Sequence, residues 1–181
     1  PFRRAIFDLI LKGDREGFCD TVTSICEHYP KESLDACFTI IGSHDTVRAL
    51  SALSGLTPPV TQEQRRVFGL SGGDYEFARL RLKAAAILQY TLPGVPCVYY
   101  GDEAGMQGYE DPLNRGPYPW GREDDDIIGH YRALGELRRR NAAALTGRLR
   151  FVGDGELTVF DRISDDGKDI LRKLVATSDV F

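Results

Sequence analysis

The sequence predicts an α/β chain that gives way, near its C-terminal end, to a small antiparallel β unit. Three observations carry that expectation. Two short apolar runs, 37–42 and 97–100, read as strands buried on both faces. Stretches with apolar residues at helical spacing stand before, between and after them. Beyond Gly147 the texture changes to brief strand-like segments joined by Gly-Asp-Gly and Ser-Asp-Asp-Gly turns. Strand, helix, strand, helix and then a run of strands is the order of a parallel α/β layer followed by an antiparallel sheet.

Each element has its own signal. Residues 1–12 read as a helix: Phe2, Ala5, Ile6, Leu9 and Ile10 share a face, Pro1 suits a first turn and Gly13 a stop. A second helix covers 15–28, with Phe18, Val22 and Ile25 inward, before Pro30 ends it. Ala36-Cys37-Phe38-Thr39-Ile40-Ile41-Gly42 is short, apolar and partly β-branched, as a buried strand should be. Residues 54–74 are loop-like, with room for a helical turn or two at 61–68. Asp74 is placed to cap a helix over 75–90, whose stripe is Phe77, Leu80, Ala84, Ile87 and Leu88. Pro93-Gly94-Val95-Pro96 reads as a turn into the strand Cys97-Val98-Tyr99-Tyr100. A polar loop, 104–125, leads to a helix at 126–141 with Ile127, Tyr131, Leu134 and Leu137 inward. Three short strands follow at 148–152, 156–162 and 169–176. The two apolar strands are expected to lie side by side and parallel, the helix at 75–90 making a right-handed crossover. Two parallel strands alone cannot close a sheet, so they either pair with further chain or form a very small sheet.

Composition excludes several classes. Of 181 residues, 42% are hydrophobic and 28% charged, which is enough for a packed core and argues against wholesale disorder. A net charge of −4 argues against a dedicated nucleic-acid binder. Arg138-Arg139-Arg140, the one concentrated basic run, reads as a solvated helix end. No stretch approaches the roughly 20 apolar residues of a membrane span, so no membrane partner is expected. No basic-then-apolar leader opens the sequence. The chain starts at Pro1 and its single methionine is Met106, which reads as a processed product or a piece of something longer. Cys19, Cys26, Cys37 and Cys97 lack metal or redox spacing and read as structural thiols, Cys37 and Cys97 as small buried hydrophobes. Such thiols favour a reducing, cytoplasmic location.

Both apolar runs end in ionisable groups: Ser43-His44-Asp45 after the first and Asp102-Glu103 after the second. The carboxyl ends of parallel strands are where α/β sites are built. The competing reading makes these residues caps for the next helix, and position alone leaves both open. Consecutive Ser, His and Asp point in different directions and make no hydrolytic triad, and there is no GxSxG elbow.

Longer strings narrow the choice. Ile40-Ile41-Gly42-Ser43-His44-Asp45-Thr46-Val47-Arg48 resembles the seventh-strand motif of the alpha-amylase family, in the neopullulanase and cyclomaltodextrinase branch. The string from Leu92 through Tyr99-Tyr100-Gly101-Asp102-Glu103 to Gly105 resembles that family's eighth strand. Asp111-Pro112-Leu113-Asn114-Arg115-Gly116-Pro117-Tyr118-Pro119-Trp120 is similar to its DPxxRxPxPW loop, and Pro1-Phe2-Arg3 to the YPFR opening the helix after the sixth strand. Any one match is weak; four in order, from residue 1 to about 125, are specific.

The resemblance implies the last quarter of a TIM (β/α) barrel, residues 1–145, followed by an incomplete C-terminal β-sandwich domain, residues 146–181. It implies a retaining glycoside hydrolase acting on α-glucan oligosaccharides or cyclodextrins. In that scheme Asp45 is the third catalytic carboxylate, stabilising the transition state through sugar hydroxyls, and His44 donates to the same sugar. Tyr109, Arg115 and Trp120 are candidate sugar-binding residues, with Tyr118 beside them. Arg48, Asp102 and Glu103 are expected to support the site, Arg48 by pairing with a nearby carboxylate. The nucleophile and general acid of the family follow its fourth and fifth strands, and neither string occurs here. This stretch is therefore expected to be inactive alone and to self-associate through exposed strand edges, unless the helix at 1–12 covers them. No metal ligand set or cofactor is evident, and calcium is left open for the longer parent. The rival reading is a non-catalytic carbohydrate-binding or interaction module. Two departures from the family pattern stand out: the charged pair Arg172-Lys173 in the last strand and the end of the β unit at Phe181.

Overall fold

The computed structural model describes residues 1–153 and 157–175. Its first layer is helical. Helix α1 (Phe2–Lys12) buries Ala5, Ile6, Phe7, Leu9 and Ile10 and stops at Gly13, whose φ of 70° is the left-handed conformation a C-terminal glycine supplies cheaply. Helix α2 (Arg15–His28) starts at Asp14, whose carboxylate accepts from the Gly17 backbone N–H at 3.0 Å. These two boundaries match the sequence expectation. A one-turn helix, α3 (Lys31–Ala36), follows Pro30.

Strand β1 (Phe38–Thr39) pairs with β2 (Val95–Pro96) in parallel, Phe38 opposite Val95 and Thr39 opposite Pro96. The two strands are adjacent and parallel as expected, but the second is Val95–Pro96, in the expected turn, and Cys97–Tyr100 forms no strand; nor is the first run buried on both faces, since Phe38 is 71% and Ile40 41% exposed. Gly94 makes the close approach possible. At φ 101° it brings the chain so near β1 that a Cβ would lie 2.6 Å from the Cys37 carbonyl oxygen. Beyond the Cys97 N–H, which donates to Thr39 O at 3.0 Å, the chain leaves β1. Gln89, fully buried, donates its side-chain amide to both Thr39 O and Cys97 O at 2.9 Å and closes the end of the ladder.

Between the strands lie α4 (Ala49–Leu53), α5 (Gln62–Val67) and the long α6 (Gly72–Thr91). Two expectations about α6 fail. It starts one turn early, after Ser71 rather than Asp74, and its buried face is Ala78, Leu82, Ala85, Ala86 and Leu88. Phe77 and Leu80 are about half exposed. Apolar residues nearly encircle this helix, so its neighbours α1, α4 and α7 select the buried arc rather than the stripe of largest side chains.

A 3-10 turn (Asp102–Ala104) and a long loop lead to α7 (Asp125–Arg140), then α8 (Ala142–Thr146). Ile127, Tyr131 and Leu134 face inward as expected. Arg138 does not sit on a solvated helix end. It is buried, donating to the carbonyls of Tyr90, Gly94 and Ala144, so the basic run splits into one structural arginine and two exposed ones. Cys37 is exposed rather than buried, and none of the four cysteines is in a disulfide.

Strands β3 (Arg148–Phe151), β4 (Thr158–Ile163) and β5 (Ile170–Val175) form an antiparallel sheet in the order β3-β4-β5. The loop expected to begin the middle strand at residue 156 and the last residue of the third expected strand lie outside the described residues. Arg172 in β5 is accommodated by a bidentate pair with the buried Asp161, at 2.7 and 2.9 Å. Phe160 of β4 is fully buried in the same hydrophobic core as α1, α2, α6 and α7. Arg162, also fully buried, donates to Thr91 O at 2.6 Å and Gly147 O at 2.8 Å, tying the sheet to the end of α6. Burial depresses its guanidinium to about 10.

Candidate functional site

The segment after β1 leaves the core at Ile41 and turns sharply through Ser43-His44-Asp45-Thr46. The turn is held locally: Thr46 N–H donates to Ser43 O at 3.3 Å, and Ser43 N–H to Thr46 Oγ1 at 3.2 Å. It presents two exposed side chains. His44 Nε2 lies 3.2 Å from Asp45 Oδ1, with side chains 61% and 73% exposed. The carboxylate can accept from one hydroxyl of a ligand while the imidazole beside it donates to another.

Beneath this turn the structure is buried and charged. Arg48 is 1% exposed and lies against two rings that touch each other, its guanidinium carbon 4.2 Å from the Tyr99 centroid and 4.7 Å from that of Tyr100. Its Nη1 donates to Tyr100 O and sits 3.2 Å from Asp102 Oδ1. The pair links the segment after β1 to the segment after β2. Burial pushes the Asp102 carboxyl up to about 6, against the opposing pull of Arg48. Arg3 adds a second tie from α1, donating to Ile41 O at 2.8 Å and Val47 O at 3.2 Å.

Glu103 takes the other direction. It lines a groove of about 420 Å³ with Tyr90, Val98, Tyr100, Tyr118 and Tyr131. The Asp102-Glu103 pair is therefore divided between an inward ion pair and a groove wall.

The loop 105–124 packs over the same region. Arg48 N–H donates to Gly108 O at 3.0 Å, and Gly108 N–H to Ser51 Oγ at 2.9 Å. Arg115 pairs with Asp111 at 2.8 Å. Trp120 is 81% exposed, its ring 4.5 Å from that of Tyr118, so the two form an open aromatic surface. Tyr109 departs from expectation. It is 4% exposed and packs on Phe68 at 6.0 Å, which leaves no ring face for a sugar. Its apolar body serves the loop's own core, as a loop aromatic does when a neighbour is in reach.

The structure thus gathers His44, Asp45, Arg48 and Asp102 at the ends of the two paired strands, with Glu103 on the adjoining groove. Arg115 and Trp120 stand on the overlying loop. Asn114 was missed. It is fully buried in that loop and donates to His44 O at 2.7 Å and Thr46 O at 2.8 Å. Periodicity carries no signal for an asparagine in a polar loop. Among the described residues, no group of three or more His, Cys, Asp or Glu side chains converges to hold a metal ion, and no helix is long and apolar enough to cross a membrane.

A family model described as the alpha-amylase catalytic domain matches residues 16–131. The chain is 35% identical over 185 residues to an amylopullulanase of Thermoanaerobacter thermohydrosulfuricus, covering 95% of this chain and 12% of that protein. It is 29% identical over 156 residues to a cyclomaltodextrinase of a Bacillus species, covering 84% of this chain and 24% of the relative. A solved cyclomaltodextrinase structure superposes with a TM-score of 0.74 at 27% identity, over 97% of this chain and 27% of the other. The chain therefore spans only about a quarter of the cyclomaltodextrinases, and less of the amylopullulanase.

Proposed function

The chain belongs to the alpha-amylase family, and from that premise we propose that it is the part of an α-glucan-active retaining glycoside hydrolase that supplies the third carboxylate of the reaction. Its substrates in the whole protein are maltooligosaccharides, cyclodextrins or pullulan, in keeping with the relatives named amylopullulanase, cyclomaltodextrinase and neopullulanase. Asp45 accepts hydrogen bonds from sugar hydroxyls at the cleavage point, and His44 donates to the same sugar. As the ring flattens toward an oxocarbenium-like transition state, these contacts tighten. The observation that carries this reading is the exposed His44–Asp45 pair, 3.2 Å apart, on a turn just past the end of a parallel strand.

The bond-making nucleophile and the general acid come from the rest of the protein, in the barrel strands that precede this quarter. Trp120 and Tyr118 form a platform for an outer sugar, and Arg115 stands beside it. Arg48 and Asp102 hold the site together from below without touching substrate. The unbridged cysteines suit a reducing, cytoplasmic setting. Separated from the rest, the chain self-associates through the small sheet, a reading supported by the exposure of Phe38 (71%), Ile40 (41%) and Val95 (39%).

The test is turnover by this chain alone on maltotriose or β-cyclodextrin. No hydrolysis above a buffer blank is expected, and measurable turnover would remove the claim that the nucleophile and acid lie elsewhere.

A further inference from the structure

The geometry points to Asn114 as a positioning residue that fixes the carboxylate of Asp45 by clamping the turn that carries it; the inference rests on the reading of Asp45 given above. Asn114 lies 70 residues from His44 in sequence, in a different loop, and is fully buried. Its side chain meets the turn on both flanks of Asp45: Nδ2 donates to His44 O at 2.7 Å and to Thr46 O at 2.8 Å. The peptide just before Asp45 and the one that follows Thr46 are thereby held by one rigid amide, while the Asp45 side chain, beside His44, stays exposed to a ligand.

The chemistry specifies this residue type. Two carbonyl oxygens facing one buried point need two N–H donors from a single group, which the primary amide offers. An aspartate of the same shape would set an anion against two carbonyl dipoles. A glutamine would have to fit one more methylene into a site with no exposure. The clamp also has a rigid base. Gly108 runs so close beneath it that a Cβ there would lie 2.5 Å from Leu113 O and 3.1 Å from Asn114 Cα. Gly108 is in turn tied to Arg48 and Ser51. The loop that carries Arg115 and Trp120 and the turn that carries Asp45 are thus joined through one side chain, so a sugar settling on that loop bears directly on where Asp45 points.

The experiment uses the full-length protein that carries this chain, with Asn114→Ala and the near-isosteric Asn114→Asp, each alone and combined with Asp45→Asn. Displacing a reacting group by about 1 Å costs on the order of 100-fold in rate. Each Asn114 variant is therefore expected to lower kcat by about 10- to 100-fold with KM changed less than about threefold. In the Asp45→Asn background the same substitutions should cost less than about threefold, because the group they position is already gone. Hydrogen exchange at the Thr46 amide should accelerate in both Asn114 variants, and this readout needs no activity. Costs that simply add to those of Asp45→Asn, or an unchanged Thr46 exchange rate in a folded variant, would overturn the assignment. An Asp45→Asn protein with normal kcat, alongside accelerated Thr46 exchange in Asn114→Asp, would instead refute the catalytic reading of Asp45 and with it the positioning role, leaving Asn114 a structural clamp.

Discussion

Replacing Asp102 by asparagine should make the protein's stability respond to pH in a way that isolates one buried carboxylate. Asp102 is 1% exposed, and only one of its oxygens, Oδ1, reaches Arg48. Oδ2 is buried with no hydrogen-bond partner among the described residues, hard against Gly42. Burial raises the carboxyl from an ordinary 3.8 to about 6, the Arg48 guanidinium opposing it. A carboxyl whose folded value is raised binds its proton more tightly when folded. Its contribution to stability is therefore fully present below about pH 4 and is lost as pH rises through about 6. At roughly 1.4 kcal/mol for each pH unit between the two values, the loss is about 3 kcal/mol. The substituted amide does not titrate, and the cost of leaving Arg48 without its counter-ion is the same at every pH. Asp8, Asp126 and Asp161, held low by hydrogen bonds to Lys12, Lys83 and Arg172, work in the opposite sense and cancel when the two proteins are compared. Urea unfolding of wild type and Asp102→Asn from pH 4 to 7.5 reads the difference. The wild type should lose roughly 2.5 kcal/mol of this relative to the variant across that interval. A flat difference, or one moving in the wild type's favour as pH rises, would mean that Arg48 keeps the carboxylate ionised and that the reasoning about burial is wrong.

Other expectations follow from the packing. Asp124 caps α7, accepting from the Asp126 and Ile127 N–H groups at 3.0 Å, and also accepts from Tyr75 Oη at 2.7 Å. Asp124→Ala should cost about 2 kcal/mol in urea unfolding, and a loss below about 0.5 kcal/mol would show that neither role matters. The exposed edge at Phe38 and Ile40 should drive the isolated chain into dimers or larger assemblies, seen by light scattering at micromolar concentration. Phe38→Lys should shift that distribution toward monomer; a monodisperse wild-type monomer would contradict the edge argument.

The first two helices were legible in the sequence: α1 falls where Pro1 and Gly13 put it, and α2 runs from just after Gly13 to just before the Pro30 stop. The first strand was legible as an apolar run but not in extent, and the second was placed at 97–100, where no strand forms. Pairing follows where two backbones come close, and Gly94 moved that point into the Pro93–Pro96 segment. The inward face of α6 was misread because size and apolar character do not rank the arcs of a helix apolar on most sides. Arg138 and Arg162 were unreadable as buried groups: their partners are carbonyls left free at helix ends and turns, and those exist only in the fold. Of the site, His44, Asp45, Arg48 and Asp102 could be named from motifs. The burial of Tyr109 depends on Phe68, 41 residues earlier, and the clamp at Asn114 on a turn 70 residues earlier, which no local pattern encodes.

The most direct test of the central claim is Asp45→Asn in the full-length protein, assayed for kcat on β-cyclodextrin and maltotriose. Loss of one preorganised contact to the transition state predicts a fall on the order of 100- to 1,000-fold, with a smaller fall for His44→Ala. An Asp45→Asn protein that folds as the wild type does and keeps near-normal kcat would remove Asp45 from the catalytic set and contradict the account.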